Sequence, residues 1–420
     1  MNSVFKKGIL ALVLRFSGAL LNFLLSIYIA RYLIKQDYGD YQFLITLITG
    51  GSLFARVGMD TYLMSKLPGE KVKTRQLYAL QNAIILVFIC SIILACLTFL
   101  GYLAYLFAYA KPIKIEMLLI VCISFLPYSN FMLIASIEKA KEHINKSLFI
   151  SNVFPPLLMY AVMELTKHNY DKLNNTISAY LLSSMLVFLI SILILVQGER
   201  KLKLFTNINL SHVWLYFKRG RKYILHSLMA YLLLWVDLII IGIFLGGEYT
   251  ADYSVASRVT LIILLAMSVY DGMVGPIIIK SYKFNNTHDF IKKIAKIFAI
   301  TVTFISFFVA VMIVFAEYII PMYGDNYQGS VVIARILIAA YAVKGLASLP
   351  GFVLIAMNKV ANINKILVVS LLINIVMSYY LMQNYSTSGV AVGTLISSVV
   401  VVICSYYVML YNFKVMKIAV

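Results

Sequence analysis

The sequence predicts an all-α, polytopic membrane protein of about twelve transmembrane helices in two six-helix lobes, related by a pseudo-twofold axis along the membrane normal. Three observations predict it. Apolar stretches of about twenty residues recur along the chain, the length a helix needs to cross about 30 Å of hydrocarbon. Hydrophobic residues make up 62% of the chain and charged residues 13%, far from the balance of a soluble domain. The two halves also repeat. Helices are the remaining choice, since a lipid-exposed backbone must satisfy its own hydrogen bonds and the stretches far exceed the roughly ten residues of a barrel strand.

The first span, Gly8–Ala30, follows Lys6 and Lys7. It does not read as a secretion signal, because it continues for about twenty residues, carries Arg15 and lacks a small-residue cleavage pattern. Tyr41–Met64 carries Arg56 and Asp60, and Leu77–Tyr102 and Ile115–Ile137 follow, the latter holding Pro127. Ser147–Leu165 contains Pro155-Pro156, and Ile177–Val196 closes the first lobe, residues 1–200. Residues 201–222 form a basic cytoplasmic linker whose amphipathic-looking Leu210–Phe217 is expected along the inner surface. The second lobe, 223–420, holds Tyr223–Leu245, Ser254–Ile279, Ile294–Ile320, Val331–Ala356, Ile363–Met382 and Gly389–Phe413. Gly275-Pro276 and Pro350-Gly351 fall inside two of these. Prolines there remove backbone bonds and kink their helices, as cavity-shaping bends or as fixed packing geometry.

The basic residues set the orientation. With the N-terminus inside, inner loops and tails hold 25 of the 36 Lys and Arg, and outer loops only Arg31, Lys35, Lys111, Lys114, Lys167 and Lys172. Both termini are therefore expected in the cytoplasm. The net charge of +19 is topology and attraction to anionic headgroups, with no nucleic-acid partner implied. Cys90, Cys96, Cys122 and Cys404 all lie in spans without metal-ligand spacing, and of five histidines only His226 does. No nucleophile elbow, phosphate loop, carboxylate cluster or HExxH occurs, so neither catalysis nor a cofactor is expected.

The repeat rests on an ungapped shift of 212 positions. Phe5, Lys6 and Gly8 match Phe217, Lys218 and Gly220, and Ile29, Leu33, Asp40 and Tyr41 match Ile241, Leu245, Asp252 and Tyr253. Leu and Ile match cheaply in apolar sequence, so the polar matches at both ends carry the argument. Six spans per repeat give parallel halves, an architecture that places a substrate site between lobes and permits alternating access.

Several stretches then resemble a known family. Ile29-Ala30-Arg31-Tyr32-Leu33 with Asp37-Tyr38-Gly39-Asp40-Tyr41 is similar to the first outer loop of O-antigen-type polysaccharide-biosynthesis flippases. Trp235-Val236-Asp237 through Phe244-Leu245-Gly246, then Tyr253 and Ala256-Ser257-Arg258, resembles their seventh and eighth helices. Tyr323-Gly324-Asp325-Asn326-Tyr327 and the Asn374 to Gly389 stretch resemble later landmarks. The resemblance implies a MATE-like member of the multidrug/oligosaccharidyl-lipid/polysaccharide exporter superfamily. It also implies an undecaprenyl-pyrophosphate-linked oligosaccharide as substrate, carried to the outer leaflet of the bacterial inner membrane, with a glycan polymerase and a chain-length regulator as partners.

Charges inside the spans are the candidate site. Each costs at least about 2.5 to 3.5 kcal/mol at mid-bilayer, so each should face a cavity or a partner. Arg15, Arg56, Arg258 and Lys344 are the candidate substrate-binding cations, because a guanidinium fork matches phosphate oxygens; cations in helices one, two and eight of the related lipid II flippases resemble Arg15, Arg56 and Arg258. Asp60, Asp237 and Asp271 are candidates for ion coupling or charge pairing. Competing readings stay open: an Arg56–Asp60 salt bridge four residues apart, snorkelling of Arg258, and a Lys344 pair with Asp237 or Asp271. Arg335 reads as an interfacial anchor. These five basic against three acidic candidates lean towards an anionic substrate and away from a cation-exporting drug pump of the same fold. A membrane glycan polymerase would need a long outer loop, and Thr166–Thr176 is too short.

Overall fold

Where the apolar stretches run, the backbone closes its own hydrogen bonds and no strand forms among the described residues. The computed structural model describes residues 2–69, 72–109, 115–167, 171–198, 210–284 and 287–418. They form α1 (Asn2–Tyr32), α2 (Lys35–Arg56), α3 (Met59–Lys66), α4 (Lys73–Tyr109), α5 (Ile115–Ala140), α6 (Ile144–Leu148) and α7 (Phe154–Leu165). There follow α8 (Lys172–Gly198), α9 (Leu210–Phe244), α10 (Gly247–Phe284), α11 (Thr287–Ile319), α12 (Ser330–Gly345), α13 (Ser348–Ala356) and α14 (Val360–Ile418). Among the described residues ten helical stretches are long and apolar enough to cross a membrane, and α2 with α3 makes a further one bent by 52°. The outward faces are apolar too, with Leu97, Leu189, Phe307 and Ile403 exposed. A lipid solvent accepts such a surface and water does not.

The chain divides into two compact units, Met1–Leu232 and Leu233–Val420. In the first, α5 is the central helix, packed by α2, α3, α4 and α8 around Leu63, Leu80, Phe131, Ile134 and Ile150. In the second, α12 takes that place against α10, α11 and α14. The sequence repeat reappears in the helix ends. α1 stops at Tyr32 and α2 starts at Lys35; in the other unit α9 stops at Phe244 and α10 starts at Gly247, each pair 212 positions apart.

Among the described residues helices bend or break at four places, each with a local cause, and the last lies between two spans that the sequence already separates. The second predicted span is not one straight helix: Val57 and Gly58 adopt left-handed φ of 50° and 69° and turn α2 into α3. Only a glycine fits there, because a Cβ on Gly58 would lie 2.7 Å from the Gly220 carbonyl oxygen of α9. At Pro155-Pro156 the helix widens into a π-turn over Phe149–Val153. Pro156 cannot donate to the Asn152 carbonyl, and Asn22 Nδ2 from α1 donates to it instead at 3.3 Å. Pro350 likewise leaves the Leu346 carbonyl without its helical donor at the α12–α13 break, and Tyr406 Oη donates there at 3.3 Å. Last, the 59-residue α14 breaks at Ser386, with φ 52° and ψ −136°. Beyond the break Gly389 and Gly393, spaced as GxxxG, lie against Leu381 and Ser378, so the two halves pack as a tight antiparallel hairpin.

The amphipathic-looking Leu210–Phe217 is not a separate surface helix. It forms the first turns of α9, which continues unbroken into the seventh span. Residues 201–209 of the basic linker, and Lys71, Lys111 and Lys114, lie outside the described residues.

Candidate functional site

In the first unit the bend between α2 and α3 brings Arg56 and Asp60 together. Arg56, in the last turn of α2, is buried, and its Nη1 donates to Asp60 Oδ2 at 3.1 Å while Nε points at the Ser52 carbonyl at 3.4 Å. Asp60, in the first turn of α3, accepts the Thr61 backbone N–H through its other oxygen at 3.0 Å. A cation at a helix C-terminus and an anion at the next N-terminus suit both dipoles, so the pair clasps the bend. The salt bridge weighed against a substrate role is therefore present. Arg15, by contrast, is exposed on α1 and forms no ion pair or hydrogen bond among the described residues.

A larger polar constellation lies in the second unit around Asp237, buried on α9. Asp237 Oδ2 accepts hydrogen bonds from Tyr253 Oη of α10 at 2.7 Å and Thr394 Oγ1 of α14 at 2.6 Å, and Oδ1 faces Ser378 Oγ at 3.4 Å. Asn374 Nδ2 donates to Thr394 Oγ1 and Ser397 Oγ, both at 3.4 Å, which leaves Asn374 Oδ1 buried without a partner. The α14 hairpin makes the cluster: the small residues at 389 and 393 let its two halves approach closely enough for Asn374, Ser378 and Thr394 to share one carboxylate. The Val390 carbonyl faces Ser378 and Thr394 as well. This oxygen-rich set, with one orphaned amide oxygen, fits a proton or a small hard cation, whereas no metal-type cluster of His, Cys, Asp and Glu occurs among the described residues.

Lys344 is half-buried near the end of α12, its Nζ 5.9 Å from the Tyr341 ring centroid. It interacts electrostatically with Asp237 yet makes no ion pair among the described residues. The static pair with Asp237 or Asp271 is thus not formed. Asp271, half-buried on α10, faces the Ser348 hydroxyl at the start of α13, while its Oδ1 has no hydrogen-bond partner. Arg258 is half-buried on α10. Arg335 pairs with Glu317 of α11, as an anchor at the helix end would. The His226 side chain lies outside the described ones.

Sequence reasoning missed Glu138. It is almost wholly buried at the end of α5, where His143 Nδ1 lies 2.9 Å and Lys141 Nζ 3.8 Å away. It also missed the partners of Asp237. The available signal was polar residues at helical spacing, Asn374, Ser378, Thr394 and Ser397, flanking a GxxxG in otherwise apolar sequence.

Residues 4–282 match the sequence profile of a family described as polysaccharide biosynthesis protein. Among curated proteins, none matches the chain by sequence. Solved structures share its fold. An inward-facing multidrug resistance MATE family transporter of the MOP superfamily superposes with TM-score 0.72 at 14% identity, covering 97% of this chain and 98% of that one. The lipid II flippase MurJ in an inward closed conformation gives TM-score 0.73 at 17% identity, covering 97% of this chain and 87% of that one. A MOP superfamily transporter from Pyrococcus furiosus gives 0.63 at 15%, covering 97% and 95%.

Proposed function

The chain belongs to the polysaccharide biosynthesis protein family, and from that premise we propose that it is a flippase rather than an enzyme. It carries an undecaprenyl-pyrophosphate-linked oligosaccharide from the cytoplasmic to the outer leaflet of a bacterial inner membrane by alternating access, with both termini cytoplasmic. The glycan polymerase and chain-length regulator act on the delivered unit. The observation that carries this reading is the unequal pairing of the intramembrane cations. Arg56 is held by Asp60, while Arg15 and Lys344 lack ion pairs among the described residues. A cation left in a span without an anion is costly, and a pyrophosphate offsets that cost when it binds. Arg15, Lys344 and Arg258 are the substrate cations in this reading, and Arg56 holds the bend.

Asp237 is the coupling group. Its hydroxyl ring and the orphaned Asn374 Oδ1 suit a bound proton or small cation. Such a charge neutralises the carboxylate that attracts Lys344 electrostatically and leaves that ammonium to the substrate.

The test is the level of undecaprenyl-linked oligosaccharide and of surface glycan in cells lacking the protein, complemented with wild type, Arg15→Ala or Lys344→Ala. Complete repeat units accumulating on the cytoplasmic leaflet while surface glycan disappears, in the deletion and in either variant, is the expected result. Normal surface glycan without accumulation refutes flipping and favours a small-molecule exporter of the same fold. Single unpolymerised units at the surface would identify a polymerase.

A further inference from the structure

We infer that the pocket bounded by the end of α3, the start of α4 and the first turns of α9 binds the phosphate headgroup of a membrane lipid. The cavity measures about 670 Å³, and Tyr62, Ser65, Lys66, Arg75, Tyr216 and Arg219 line it. That volume lies in the range of small-ligand sites, about 300 to 1,000 Å³. Three separate helices contribute one cation each. None of the three has a carboxylate within ion-pairing distance among the described residues, and none is among the cations assigned above to the transported substrate.

One cation, itself exposed, is oriented by aromatic neighbours. Arg219 Nη1 donates to Tyr62 Oη at 3.4 Å, and the guanidinium carbon lies 5.6 Å from the Tyr216 ring centroid. Tyr62 is buried in the core of the first unit and meets Tyr216 edge to face, centroids 6.2 Å apart. Both contacts orient the guanidinium, and neither neutralises its charge. Arg75 and Lys66 are exposed and reach the same volume. Two planar forks and one mobile ammonium around an aromatic wall match the oxygens of a phosphate.

A second observation says where the ligand resides. The same turns of α9 expose Trp214 and Leu215, with Trp214 stacked on Phe217 at 4.9 Å and Lys218 Nζ 5.7 Å from the Trp214 ring. Exposed Trp and Leu beside Lys and Arg form an interfacial surface, apolar side in the acyl boundary and charges among headgroups. The pocket mouth then opens at headgroup level. Basic pockets between membrane helices are where phosphate-bearing lipids are retained. Two lipids bring a phosphate there: an anionic phospholipid, and a polyprenyl pyrophosphate. The second source rests on the function proposed above; the first does not.

The experiment uses the full chain in nanodiscs with photoactivatable phosphatidylglycerol, polyprenyl pyrophosphate or phosphatidylcholine, and maps the labelled peptides by mass spectrometry. Expected is labelling of peptides covering 62–79 and 210–219 by one or both anionic lipids. Labelling should weaken about fivefold at low salt for each cation removed in Lys66→Gln, Arg75→Gln and Arg219→Gln, and stay unchanged in Lys359→Gln, an exposed cation elsewhere. Phosphatidylglycerol labelling alone assigns a resident phospholipid and stands even where no glycan is flipped; polyprenyl pyrophosphate labelling alone assigns the substrate headgroup. Equal labelling by phosphatidylcholine, labelling only of other peptides, or indifference to the three substitutions overturns the site. Should any of these variants fail to fold, the wild type decides: excess inorganic pyrophosphate must suppress the label on these peptides, and persistence overturns the proposal.

Discussion

Substituting Gly58 by Ala attacks the bend that positions Arg56 and Asp60. At φ 69° and ψ 14° an Ala pays the left-handed penalty, about 1 to 2 kcal/mol. Its Cβ would also meet the Gly220 carbonyl oxygen at 2.7 Å, the Ile224 nitrogen at 2.8 Å and the Tyr223 carbonyl carbon at 2.9 Å. All three are backbone atoms of α9, so no rotamer relieves the contact, and overpacking of this kind costs about 1 to 3 kcal/mol. The sum is about 2 to 5 kcal/mol, or a fall in melting temperature of about 4 to 10 °C for a unit the size of Met1–Leu232. Fluorescence-detected size-exclusion after heating the detergent-solubilised protein reads that shift. Gly220→Ala meets the Val57 carbonyl oxygen at 2.6 Å from inside a regular helix, so it carries the contact cost without the backbone cost and should lie about 1 kcal/mol milder. Gly101→Ala, on α4 with nothing within 4 Å of its Cβ, should match or exceed wild type. A Gly58→Ala protein melting with Gly101→Ala would refute the close approach and with it the cause assigned to the bend.

Asp60→Asn leaves Arg56 buried without its anion and should cost about 3 to 5 kcal/mol in thermal unfolding, whereas Arg56→Met with Asp60→Leu should regain most of it. If that double variant is stable yet no longer restores surface glycan, Arg56 belongs to the substrate site after all. Tyr406→Phe removes the donor to the Leu346 carbonyl and should cost about 1 kcal/mol, but nearly nothing in a Pro350→Ala background, where the helix supplies its own N–H. A double-mutant cycle of melting temperatures with no coupling would refute the rescue. Asp237→Asn keeps the volume and loses the charge that Tyr253 and Thr394 address; protein level should hold while glycan transport loses its dependence on the coupling cation in inverted vesicles. Unchanged cation dependence would remove Asp237 from coupling.

Crossing helices were legible because hydrocarbon thickness imposes one length on every span, and that length is written in consecutive residues. The repeat was legible for a related reason. Asp40-Tyr41 and Asp252-Tyr253 mark equivalent helix starts, and their shift of 212 is the shift between the observed helix ends. The breaks at Pro155-Pro156 and Pro350 were legible as residue types but not as geometry, whereas the bend at Val57-Gly58 was not foreseen and the helices run on through Pro127 and Pro276. Pro350 announced a lost donor, yet that Tyr406, 60 positions beyond the Leu346 carbonyl, replaces it depends on which face α14 turns towards α13.

The charges show the same divide more sharply. Arg56 and Asp60 lie four residues apart in sequence, so local spacing alone sufficed to weigh their salt bridge. Asp237 gathers its donors from 16, 141 and 157 residues away, and nothing in the periodicity of α9 selects them. What selects them is backbone approach: Gly393 lies so close to Ser378 that an added Cβ would fall 2.7 Å from its nitrogen, and that approach brings Thr394 level with Asn374 and Ser378. In a membrane chain the hydrophobic pattern identifies what is helix and nearly nothing about which helices touch, because every outward face is apolar. Pairing information resides in small residues and in the few polar ones. A glycine whose added Cβ would strike another helix's backbone, as at positions 58, 220, 389 and 393, therefore marks where distant polar groups are brought within hydrogen-bonding range.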